Sequence, residues 1–206
     1  MPNERRAPGS GLLALLEPQY GISPETLQRI GALIALWGTF EFDLEQALWR
    51  LSGETPQGEV PTTDTMPVSR RIVRFCQLGS ELEGEAWREI VKLLGDVAEN
   101  LAAYRNAIVH GRLLPAGVGG GIVLNSRWYG ELRKRPSMIA HVDENLVGIM
   151  LDGLHELLIA MAQIAHGDGA PNLNPRILAQ RQKLRSARSG TVEVRYLTEL
   201  MNSEKY

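Results

Sequence analysis

Apolar side chains recur every three or four residues along three long stretches of the chain, with polar residues between them. The first stretch runs through Leu27, Ile30, Ile34, Trp37, Leu44, Leu48 and Leu51. Ser23-Pro24-Glu25 opens it with a capping hydroxyl, a proline suited to the first helical position and an acid suited to the positive end of the helix dipole. Ser52-Gly53 closes it. The second stretch, Trp87, Ile90, Leu94, Val97, Leu101, Tyr104 and Ile108, is unbroken and ends at His110-Gly111, where a left-handed glycine cap is expected. The third places Leu146, Met150, Gly153, Leu157, Ala160 and Ile164 on one side of a helix capped by Asp143 and stopped by His166-Gly167. This period is that of amphipathic helices.

Shorter signals fill the gaps. A helix is predicted from Val68 to Leu78, with Ile72, Phe75 and Cys76 on its apolar side. Residues 53–67 read as a loop. Ile122-Val123-Leu124 and Met138-Ile139-Ala140, on either side of Arg127-Trp128-Tyr129-Gly130, predict a β-hairpin or an irregular excursion. Residues 1–21 form an expected flexible arm around the short apolar strap Gly11–Leu16. The residues beyond 166 form a basic extension whose last amphipathic piece spans about Val192 to Met201. The prediction is a mainly α protein: an antiparallel bundle of four to five core helices over residues 22–166, a short β insertion and a C-terminal helical extension.

Composition narrows the chemistry. One cysteine, Cys76, excludes an internal disulfide framework and any zinc site built on several thiolates. With Lys+Arg 22 against Asp+Glu 24, the net charge of -2 does not advertise a nucleic-acid protein, so any basic surface must be local. Such local clusters exist. Arg70, Arg71 and Arg74 share a face of the second helix. Arg127, Arg133, Lys134 and Arg135 surround Trp128 and Tyr129, and Arg176, Arg181, Lys183, Arg185 and Arg188 lie in a segment without acids. Cations interleaved with aromatics suit a single-stranded RNA track, although each cluster alone is more often a solvated face. His141 and His155 lack ligand spacing, and neither a metal nor another cofactor is expected. No apolar run reads as long enough to cross a bilayer, so no membrane partner is expected and the expected location is cytoplasmic.

The most informative segment is Tyr104-Arg105-Asn106-Ala107-Ile108-Val109-His110-Gly111. An arginine, a polar residue and a histidine at a helix end, within a helical bundle, resemble the signature of the HEPN superfamily. Tyr104, Gly111 and the earlier Trp37-Gly38-Thr39-Phe40-Glu41 add to the likeness, which covers roughly residues 24–165. The resemblance implies a metal-independent endoribonuclease, as a toxin or anti-phage effector, acting as a homodimer with a composite cleft. An antitoxin or regulatory protein would be a further partner. It implies Arg105, Asn106 and His110 as the catalytic set, supported by Glu41 and Tyr104, with Arg70, Arg71, Arg74 and Arg112 on RNA. Gly111-Arg112-Leu113 follows the histidine where members paired with nucleotidyltransferase antitoxins carry a tyrosine, so that system is not supported. The alternative is a non-catalytic RNA- or nucleotide-binding module of the same fold.

The residue types fit that chemistry independently. Imidazole titrates near neutral pH and can act as base or acid, and guanidinium offers a permanently charged fork to phosphate oxygens. Five residues of regular helix advance about 7.5 Å and turn past one face. Arg105 and His110 therefore meet only in a distorted last turn or through a second subunit. The bland reading is that His110 caps the helix dipole and Arg105 is solvated. Glu41 interrupts the seam of its helix, at the heptad position of Leu27, Ile34 and Leu48. Either it is buried and paired, with Arg105 as the attractive partner, or the helix bends, or it sits at the bundle rim beside water. Asp43 and Glu45 are expected to be exposed.

Overall fold

The computed structural model describes residues 10–55, 57–115, 121–124, 138–140, 143–166 and 182. The basic-aromatic cluster around Trp128, His141, and the C-terminal basic and amphipathic segments lie outside the described residues, apart from Gln182.

The protein is a mainly α helical bundle. Five helices, α1 (Ser10–Tyr20), α2 (Pro24–Ser52), α3 (Val68–Glu81), α4 (Glu85–His110) and α5 (Glu144–His166), account for most of the described chain. The strap at the N-terminus is therefore part of a helix that carries Pro18 within it. Three strands, β1 (Arg112–Leu114), β2 (Gly121–Leu124) and β3 (Met138–Ala140), form an antiparallel sheet in that order. Val123 stands opposite both Arg112 and Ile139. The two apolar triplets predicted as a β-hairpin or an irregular excursion fall in β2 and β3, which pair antiparallel. β1 gave no periodic signal, because three residues are too few to show one.

Local chemistry sets the helix ends. The Ser23 hydroxyl accepts from Thr26 N–H at 3.1 Å, and Asp143 Oδ1 accepts from Leu146 N–H at 2.7 Å. Each satisfies an amide that the helix itself leaves open. Gly53 closes α2 at φ 69. Gly111 behaves differently. Its φ of -82 is extended, not left-handed as the sequence suggested, and its N–H bonds to Ala107 O. The chain passes directly from α4 into β1, and an extended residue is what that junction requires.

The core lies where α2 packs along α5 and α3, and α4 packs along α3 and α5. Leu33, Trp37, Phe40, Leu44, Phe75, Leu94, Leu101, Met150, Leu154 and Leu157 are fully buried there. α3 and α4 are antiparallel, with Gly79 near the end of α3 meeting Val91 near the start of α4. α2 and α5 run in the same direction. Arg29 pairs with Glu144 at 2.9 Å at their first turns, and Arg50 donates to Ala165 O at 3.3 Å at their last. The passage from His110 to Asp143 thus carries the chain to the end of the bundle where α2 begins. α5 is long and apolar enough to cross a membrane by length and composition, which the sequence reading did not credit. Asp152 and Glu156 break the apolar run without lowering its average below that threshold. Leu146, Val147, Met150, Leu154, Leu157, Met161 and Ile164 are buried within the bundle.

The α2 seam rotates. Leu27, Ile34, Glu41 and Leu48 share a heptad position, yet Ile34 is exposed, Glu41 is half-buried and Leu48 is buried. A straight helix drifts about 20° per heptad, so from Ile34 to Leu48 this seven-residue row turns into the core. Leu33, Phe40 and Ala47 complete the buried side.

α3 and α4 approach so closely that two glycines are obligatory. A methyl group on Gly79 would land on Val91, and one on Gly95 would land on the Cys76 sulfur. Gly95→Ala is expected to lower stability by about 1–3 kcal/mol through overpacking. Cys76→Ala introduced beside it should restore most of the loss, because the Cys76 Cβ lies 3.9 Å from the added methyl, an ordinary contact. Urea midpoints of the two single variants and the double variant test this. Equal midpoints for Gly95→Ala with and without Cys76→Ala would refute it.

Candidate functional site

α4 delivers the Tyr104–His110 segment at its C-terminal end and remains α-helical through His110. Tyr104 is buried at 5% exposure, Arg105 and Asn106 are half-buried, and His110 is exposed. No distorted turn brings the last residue back toward Arg105. On a regular helix the two side chains leave about 140° apart, so one chain does not gather them at a single point.

Arg105 instead faces α2. Its guanidinium carbon lies 6.0 Å from the centroid of the Trp37 ring, at the reach of cation–π attraction. Its Nη1 donates to Asn106 Oδ1 at 3.2 Å. Its Nε is buried and has no hydrogen-bond partner among the described residues. The arginine and the asparagine of the motif are therefore brought together, and the histidine is not.

Glu41 does not pair with Arg105. Its Oε1 accepts the Trp37 indole N–H at 2.5 Å, and the carboxylate sits half-buried at the rim. Of the readings left open by the sequence, none named this partner: the half-buried carboxylate is held by the Trp37 indole. The indole, which needs an acceptor at the core boundary, has claimed the carboxylate. Trp37 itself was legible only as a seam residue. The signal for more was its spacing of four from Glu41, one helical turn.

The basic face on α3 is smaller than the sequence suggested. Arg70 and Arg74 are exposed, as is Arg112 on β1. Arg71 is turned inward, donating to Thr63 O at 3.0 Å and lying 3.5 Å from Glu45 Oε2. Glu45, expected to be exposed, is 18% exposed and also accepts from the Thr63 hydroxyl at 2.5 Å, which in turn accepts from Trp49 Nε1 at 2.8 Å. These four residues tie the 53–67 loop to α2 and α3. Arg71 is thereby engaged within the fold.

Among the described residues, two ionisable groups depart from their ordinary range. Burial pushes the Asp43 carboxyl up, opposed by the charge of His166 at the end of α5. Burial pushes the Cys76 thiol up, and the charges of Glu99 and Asp96 add to that. Cys76 floors a cavity of about 360 Å³ between α3 and α4, lined also by Arg88, Lys92 and Asp96, with no residue from the Arg105 segment. Among the described residues no three of His, Cys, Asp and Glu come together as a metal cluster.

Comparison with protein-family models, with curated proteins and with solved structures finds no match to this chain.

Arg71→Ala should destabilise the protein by about 1–3 kcal/mol, since it strands the half-buried Glu45 carboxylate. Arg70→Ala, one residue away and exposed, should shift stability by no more than about 0.5 kcal/mol. Thermal unfolding of the two variants measures the contrast, and equal effects would contradict the assignment of Arg71 to the fold.

Proposed function

We propose that the chain is a metal-independent endoribonuclease of the HEPN type, acting as a homodimer with a composite site built from Arg105, Asn106 and His110. The observation that carries the reading is the state of Arg105. Its guanidinium is held at the bundle edge by a ring face and an amide, with a buried Nε–H left without a partner and no carboxylate beside it among the described residues. A cation kept un-neutralised in this way is suited to an oxyanion.

The chemistry is transesterification. The 2′-hydroxyl of RNA attacks the adjacent phosphorus as an imidazole removes its proton, and the 5′-oxygen leaves as a second imidazole protonates it. Guanidinium groups stabilise the charge on the phosphorane oxygens. Base, acid and cation are all side chains, so the step needs no metal. One chain offers one His110, directed away from its own Arg105. A two-fold dimer supplies the second imidazole and brings a histidine to each arginine. The exposed Ile34 and Phe42 on α2, on the side next to Glu41, supply an apolar surface for such a contact. Arg112, next to the motif, and Arg70 and Arg74 on α3 would attract the flanking phosphates. A toxin or anti-phage effector of the cytoplasm, restrained by an antitoxin or regulatory protein, is the matching biological role.

The exposed position of His110 on a separate face favours one second reading, a module that binds RNA or nucleotides without cutting them. The test uses purified protein, single-stranded RNA and chelator. Wild type should leave 2′,3′-cyclic phosphate ends, and His110→Ala, with an unchanged circular dichroism spectrum, should be slower by about 10²–10⁴-fold. Unchanged cleavage by His110→Ala would overturn the proposal, and tight RNA binding by wild type without turnover would establish the second reading.

A further inference from the structure

Trp37 joins the two other groups at this edge of the bundle. Its indole N–H is held by Glu41 at 2.5 Å, and its ring packs against Phe40 at a centroid distance of 4.9 Å and a tilt of 52°. The side chain is 1% exposed. The ring is therefore fixed both at its edge and against its neighbour, and its face underlies the Arg105 guanidinium at 6.0 Å.

Two ways exist to orient an arginine at a core boundary. A carboxylate does so through a salt bridge, which consumes N–H donors and cancels the charge. An aromatic face does so through its quadrupole, leaving the donors in the guanidinium plane and the charge in place. Here a carboxylate lies within one helical turn of the ring, and the indole stands as its hydrogen-bond partner in place of the arginine. Glu41 then makes no salt bridge with Arg105 among the described residues; it fixes the orientation of the ring and raises its electron density.

We infer that Trp37 is the positioning residue of an oxyanion site, holding the Arg105 guanidinium by its ring face so that the Nη donors not taken by Asn106 remain open to a phosphodiester. The inference rests on the reading of Arg105 as a phosphate ligand, and it does not require that the phosphodiester be cleaved.

The test is binding of a fluorescein-labelled single-stranded RNA by full-length protein, followed by anisotropy across a salt series. Replacing Arg105 by Gln should weaken binding roughly 3- to 30-fold and reduce the salt slope by about 0.7, the value of one phosphate contact on a single strand. Trp37→Leu should lose the same slope, and adding Arg105→Gln to it should lose nothing more. Trp37→Phe, which keeps a ring, should retain most of the slope. A second readout needs no change in the core. In a nitrogen-15 correlation spectrum, the Trp37 indole resonance, identified by its absence in Trp37→Phe, should move on RNA addition in wild type and stay still in Arg105→Gln. A stationary indole signal while Arg105 still sets the salt slope would overturn the inference, as would a folded Trp37→Leu with the wild-type slope. Equal binding by wild type and Arg105→Gln would remove Arg105 as a phosphate ligand and the inference with it. Arg105-dependent binding with a responsive indole and no cleavage would end the nuclease reading alone.

Discussion

A tryptophan with its ring in the core must still find an acceptor for its N–H, and that requirement organises one edge of this bundle. An unpaired indole N–H in an apolar surrounding carries a desolvation cost that a single hydrogen bond removes. Trp37 meets it with Glu41, one turn along the same helix. The consequences spread outward. The carboxylate is drawn to the rim, where it stays half-buried, and the ring presents a fixed face to α4. Arg105 settles over that face, without a salt bridge among the described residues. A side chain at position 37 with neither an indole N–H nor a ring face would leave Glu41 and Arg105 without this shared partner.

The loop between α2 and α3 obeys the same constraint with a different outcome. Trp49 also has an indole N–H to satisfy, and it donates to the Thr63 hydroxyl, whose own O–H donates to Glu45. Here the carboxylate remains accessible to an arginine, and Arg71 approaches it. The result is a closed network that anchors residues 53–67. Two tryptophans, two glutamates and two arginines thus yield one arginine bound to a carboxylate and one bound to a ring. The difference lies in whether a hydroxyl relays the contact or the indole takes the carboxylate directly.

How much of this was legible follows from sequence distance. Ser23 and Asp143 cap amides three residues away, so their roles could be read from local order alone. The seams of α4 and α5 were legible because burial follows the helical period. The Glu45–Arg71 pair spans a loop that carries no period, and nothing local says how that loop folds back. The Glu41 partner was undecided because the sequence offered a distant arginine, a bend or water at the rim, while the tryptophan one turn away read only as a seam residue. Gly111 was misjudged because glycine is compatible with both a left-handed cap and an extended junction, and β1 was too short to reveal which was needed.

The regularity of α4 decides how far the motif can go within one chain. Had the last turn unwound, His110 could have swung toward Arg105 and a self-contained site would follow. The Gly111 N–H bonds to Ala107 O as a continuing helix would, and only then does the backbone extend into β1. That hydrogen bond keeps the last turn helical and leaves the imidazole on its own face, in solvent. Arg105 is meanwhile held on the opposite side of the turn by Trp37 and Asn106. On the proposed reading, a site using both groups is assembled between chains, and the pairing that completes it presents the end of one α4 to the α2 edge of another.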